Sequence, residues 1–161
     1  MLTDLTRMLD QYDERRRVDL EREKKSKADD TQFLAGFAEL RRAVVLPVFE
    51  QVGTMLAARG HGVEIEQVEF AVEALGKVRE AGISLRIAPV GMPAQLHPDD
   101  HERSFSITTR HYNKVVWINA GRSPDAGGVA GAKGAYPIER VDRALVEGAV
   151  LKFVGAVMAP G

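Results

Sequence analysis

"RSFSITTRHYNKVVWINA", residues 103–120, holds the pattern that decides the fold. Phe105, Ile107 and Thr109 alternate with Ser104, Ser106 and Thr108, the period-two signature of a half-buried strand. "HYN" reads as a tight turn, and Asn113 tolerates the left-handed backbone such a turn asks for. Beyond it, Val115 and Trp117 point one way and Val116 and Ile118 the other. That segment is apolar on both faces, which predicts the best-covered strand. Strands joined by so short a turn run antiparallel.

Upstream the alternation recurs. In "GISLRIAP" Ile83, Leu85 and Ile87 share one face while Ser84 and Arg86 share the other. "VEIEQVEFAVEALGKVREAG" fits both periods, because Val68, Phe70 and Val72 alternate while Val68, Ala71, Val72, Leu75 and Val78 also follow a helix. A strand over 63–72 with a turn or short helix near Gly76 is the reading adopted. The sheet therefore has three or four antiparallel strands.

Helices flank it. Thr31 is placed to cap a helix in which Phe33, Phe37, Leu40, Val44, Val48, Val52, Met55 and Leu56 recur at three- and four-residue steps. Gly60 suits the position just past its end. Pro47 lies inside this pattern, where it removes a backbone donor and crowds the carbonyl four residues back, so a kink is expected at 43–47. Near the C-terminus Asp142 is a good N-cap, Val141 and Val146 form a hydrophobic staple, and Leu145, Ala149, Phe153 and Val157 continue the stripe. The predicted fold is α+β: a long kinked helix, the sheet, and a C-terminal helix, with both helices on one sheet face. It divides into an extension, 1–30, and a single domain, 31–161.

Within the extension, residues 13–30 carry seven bases and seven acids. Nucleic-acid arms work by releasing counterions from phosphates and need a positive excess that this balance lacks. Asp13–Arg17, Arg15–Asp19, Glu21–Lys25 and Glu23–Lys27 are instead spaced to pair along a helix. Ahead of them Leu2, Leu5, Leu9 and Tyr12 form a short coiled-coil-like seam that stops at Arg16 and Asp19. The functional expectation is a non-enzymatic interaction module whose N-terminal helix forms a homo-oligomer, a dimer, or docks a protein partner.

The remaining composition narrows the chemistry. The 161 residues carry a net charge of −1, so no global field draws nucleic acid or an anionic surface. There is no cysteine, which excludes disulfides and thiolate chemistry. The N-terminus lacks a signal peptide's basic start and apolar run, and no stretch approaches the roughly 20 apolar residues of a membrane span. A soluble cytoplasmic chain, not membrane-bound, is expected.

Four features were candidates for chemistry. In "HPDDHE", 97–102, His97 and His101 would share a helix face, but Pro98 points to a strand connector, so no metal is expected. "GRSPDAGGVAGAKGA", 121–135, lies between strand and helix like a phosphate loop, yet Lys133 sits between Ala132 and Gly134 where the template needs Gly-Lys-Ser/Thr. His61, Ser104, Ser106 and Ser123 lack neighbours that would activate them. No catalytic residue and no cofactor is assigned. The hairpin bases Arg110, His111 and Lys114, with Arg122 and Lys133, form the candidate anion or nucleic-acid site, near Tyr112 and Trp117. A ligand pocket between helices and sheet, or this weak anion site, would be the competing function.

Overall fold

The computed structural model describes residues 1–91, 103–120 and 134–159. Helix α1 spans Leu2–Leu40, passes through a π-helical turn at Arg41–Val45, and continues as α2, Leu46–Ala58. The strands are β1 (Gly62–Val68), β2 (Ala71–Val72), β3 (Val78–Arg79), β4 (Gly82–Ala88), β5 (Ser104–Arg110), β6 (Val115–Ala120) and β7 (Ala135–Tyr136). Helix α3, Arg143–Met158, closes the order.

Among the described residues the main sheet has five strands, in the order β1-β4-β5-β6-β7, every pair antiparallel. This is more than the three or four expected. The two-residue β7 is too short to show a period, and β2 and β3 form a separate ribbon between β1 and β4. The expected strand at 63–72 accordingly ends at Val68 and resumes as β2.

One face of the sheet is the core. Ile83, Leu85 and Ile87 on β4 lie beside Phe105, Ile107 and Thr109 on β5 and Val116 on β6, all buried. Phe105 receives Phe49 of α2 edge-on at 5.7 Å and Phe153 of α3 at 5.6 Å, so both helices pack on this one face. The best-covered strand is β4, not β6. Only Val116 of β6 is fully buried, because the Val115–Trp117 side faces away from the helices.

The disturbance near Pro47 is a π-turn rather than a simple bend. Leu46 N–H donates to the Arg41 carbonyl, five residues back. The wider turn makes room where the proline ring would crowd the Ala43 carbonyl. It also inserts one residue into the helical phase. Before it Phe33, Phe37 and Leu40 face inward; after it Val45, Phe49 and Gly53 do. The shift of one position leaves Met55, expected in the stripe, 66% exposed.

Local signals elsewhere are mostly realised. His61 N–H donates to Leu56 O and Gly60 N–H to Ala57 O, the Schellman pattern, with Gly60 at φ +91°. Asp142 accepts from Leu145 N–H at 2.8 Å and caps α3, while Val141 and Val146 are both buried. Thr31 is not a cap: α1 runs through it, and its hydroxyl donates to Lys27 O within the helix. In the hairpin turn the left-handed residue is Lys114, φ +56°, rather than Asn113.

Candidate functional site

Two regions carry groups that packing alone does not require. The first is the sheet corner where β1 ends, β4 begins and β5 turns into β6. Glu80, just before β4, sits beside the last residues of β5 because the register pairs Gly82 with Thr108. One of its carboxylate oxygens accepts from the Thr109 hydroxyl at 3.0 Å and from His111 N–H at 3.2 Å. The other lies 2.9 Å from His111 Nδ1. The imidazole is flanked edge-on by Phe70 at 5.2 Å and Tyr112 at 5.9 Å.

With Glu80 ionised, Nδ1 carries the proton and Nε2 is left as an acceptor, the tautomer a general base or metal ligand needs. The rest of such a site does not assemble here. The Thr109 hydroxyl donates to Glu80, not to the imidazole, and among the described residues no three His, Asp or Glu groups lie close enough to hold a metal ion. The cluster ties the ribbon to the hairpin.

The other hairpin bases are also engaged. Lys114 Nζ donates to Asp30 Oδ1 at 2.5 Å and to His111 O at 2.9 Å, linking the hairpin turn to α1. The Arg110 guanidinium lies 4.3 Å from the centroid of the Trp117 ring, a cation–π contact across the sheet face away from the helices. Arg110 Nε and Trp117 Nε1 are buried there without hydrogen-bond partners. The structure thus brings Arg110, His111 and Lys114 to one corner but gives each a partner within the chain. Arg122, Lys133, His97 and His101 lie outside the described residues.

Arg41 belongs to the same corner, and sequence reasoning missed it. Only 8% exposed, it donates from Nη2 to Glu69 Oε1 at 2.6 Å and from Nη1 to the carbonyls of Val68 at 3.1 Å and Gly82 at 3.3 Å. The signal was its place four residues after Phe37, where a cation falls on an otherwise apolar stripe. Glu80 gave no comparable signal, since its partners are 29 and 31 residues away.

The second region is the outer part of α1. No side chain before Phe33 is buried. Leu2, Leu5, Leu9 and Tyr12, the expected seam, are 71%, 47%, 53% and 55% exposed, and Met8 beside them is 56% exposed. At 100° per residue Met1, Leu2, Leu5, Met8, Leu9 and Tyr12 fall within about a third of the helix circumference. The ion pairs that follow differ from those expected. Arg17 bridges Glu14 at 2.5 Å and Glu21 at 2.9 Å, since its fork serves carboxylates both three residues back and four ahead. The four pairs expected from spacing do not form among the described residues. The Arg17 contact holds the Glu14 carboxyl below the usual carboxylate range, first through its hydrogen bond and then through its charge. The guanidinium is correspondingly raised.

No helix among the described residues is long and apolar enough to cross a membrane. Compared with protein-family models, curated proteins and solved structures, the chain matches none.

Proposed function

We propose that this chain is a non-enzymatic interaction module in which the α+β body carries an N-terminal helix, and the helix joins one copy to another. The observation behind this reading is the apolar face of residues 1–12, set on a helix with no buried residue before Phe33. An isolated helix of ordinary composition is marginal in water, and helices in proteins owe most of their stability to a packed apolar face. Here that face is present and its counterpart is absent from the same chain's described residues. The Asp30–Lys114 pair fixes the helix at its root, so the tip is carried away from the sheet by roughly 45 Å at 1.5 Å per residue.

Sedimentation of the full chain over a range of micromolar concentrations tests this. The expected result is a monomer–dimer equilibrium, with the double substitution Leu5→Glu, Leu9→Glu returning the chain to monomer and leaving the melting temperature of the body unchanged. A chain that stays monomeric throughout, or a dimer indifferent to that substitution, would overturn the proposal.

A further inference from the structure

The self-association just described leaves the direction of pairing open, and the distribution of charge along α1 decides it. Counting Leu2 as position a and Leu5 as d, the heptad frame runs unbroken to Leu40. The a and d positions are Leu2, Leu5, Leu9 and Tyr12, then Arg16, Asp19, Glu23, Ser26 and Asp30, then Phe33, Phe37 and Leu40. The seam is apolar at both ends and charged between. Its inner end is buried in the body; its outer end is exposed.

Resting on that reading, we infer that two copies pair antiparallel through residues 1–12 alone, tip over tip, with the two bodies at opposite ends. Parallel, in-register helices place a against a and d against d. That would set Arg16 on Arg16 of the second copy, Asp19 on Asp19 and Glu23 on Glu23, three successive like-charge layers directly after Tyr12. Antiparallel helices place a against d. Leu2 then faces Tyr12 of the second copy and Leu5 faces its Leu9, with the same contacts repeated across the two-fold axis. In this register Met1 lies opposite Asp13 of the second copy, and the charged layers from Arg16 onward lie beyond the overlap in water.

A longer antiparallel register also opposes Arg16 to Asp19, but its other layers are mismatched. It would set Leu9 on Ser26 and Leu5 on Asp30, and Asp30 is already held by Lys114. Arg7 and Asp4, which pair at 3.0 Å, fall on the far side of the helix from the seam and do not enter the interface.

The occupant is a second copy of this chain because the patch is complementary to itself. Four seam residues per copy, flanked by Met1 and Met8, would bury on the order of 1,000 Å² in total, at the low end of specific interfaces. The association is therefore concentration-dependent rather than obligate.

The absence of cysteine makes the test clean. Full-length Leu5→Cys and Leu9→Cys chains are mixed in equal amounts and oxidised, with Arg7→Cys as the control for chance collision. With helix axes about 8–10 Å apart and Cα atoms at a radius of about 2.3 Å, positions that face each other, as Leu5 and Leu9 do, have Cα atoms roughly 5 Å apart. The two Leu5 positions are also offset by about 6 Å along the axis, which sets their Cα atoms roughly 8 Å apart. That exceeds the roughly 7 Å a disulfide can bridge. The Leu5→Cys chain should therefore crosslink to the Leu9→Cys chain several-fold more than either crosslinks to itself, and Arg7→Cys should not crosslink. Predominant self-crosslinking would establish parallel pairing and overturn this inference while leaving self-association standing. No crosslink above the control, with a monomer by sedimentation or binding only to lipid vesicles, would overturn both.

Discussion

The two ends of α1 obey the same heptad frame and meet opposite fates. At the inner end Phe33, Phe37 and Leu40 are 7%, 0% and 8% exposed; at the outer end Leu5 and Leu9 are about half exposed. Periodicity states which residues will share a face. Whether that face is buried depends on a second surface, and only the inner end finds one, in the sheet, α3 and the segment around Ile138. A helix can therefore be continuous in its backbone and divided in its energetics.

The comparison breaks most sharply at equivalent positions. Leu5 and Leu40 are both d residues. Leu40→Ala is expected to cost the body about 2–5 kcal/mol, from lost transfer free energy and an unfilled cavity. Leu5→Ala should change the stability of the monomeric body by less than about 0.5 kcal/mol, read by denaturant unfolding of both variants at low protein concentration. Equal losses would mean that the outer helix packs on the body.

A smaller effect separates Arg41 from its carboxylate partner. Arg41→Ala withdraws the donors from the Val68 and Gly82 carbonyls in a buried setting, which is expected to cost about 1–3 kcal/mol. Glu69 is exposed on its other side, so Glu69→Ala should cost less than about 1 kcal/mol. Equal effects in thermal unfolding would show that the ion pair, rather than the carbonyl contacts, anchors the π-turn to the sheet.

The smallest effect concerns the solvated middle of α1. A carboxylate held below its usual range stabilises the helix above about pH 4.3, the ordinary glutamate value, and the contribution disappears as pH falls through the lower folded value. Glu14 is of this kind through Arg17, and Glu39, on the exposed side of the inner end, through Arg42. Helical circular dichroism should decline slightly on acidification below that range, with Glu14→Gln reducing the acid-sensitive part. Helicity that rises on acidification would show that like-charge repulsion outweighs these pairs.

Much of the body was legible from residues close together in the chain. The alternations of β4 and β5, the Gly60 terminus and the Asp142 cap all express backbone geometry over a few positions, so neighbouring residues were enough. The misses have a common cause. Thr31 has a capping side chain, but the segment before it is itself helical, and the hydroxyl turns back to Lys27. Met55 fits the apolar period of α2, yet the π-turn ten residues earlier rotates it outward. In the candidate site the hairpin pattern places Arg110, His111 and Lys114 near Trp117, and Arg110 does stack on that ring, but it gives no sign of Glu80 and Asp30, the carboxylates that meet His111 and Lys114.

By itself the sequence determined the α+β class, the antiparallel hairpin, the C-terminal end of α2 and the start of α3, and the electrical balance of the extension, because these follow from side-chain periods, caps and charge counts along adjacent residues. Only the tertiary structure decided which half of α1 is buried, how the helical phase shifts at Arg41–Val45, and which carboxylates meet Arg41, His111 and Lys114. Those outcomes depend on surfaces and strand registers that join residues 28 to 84 positions apart, and no local pattern encodes what will stand opposite a side chain once the chain has closed on itself.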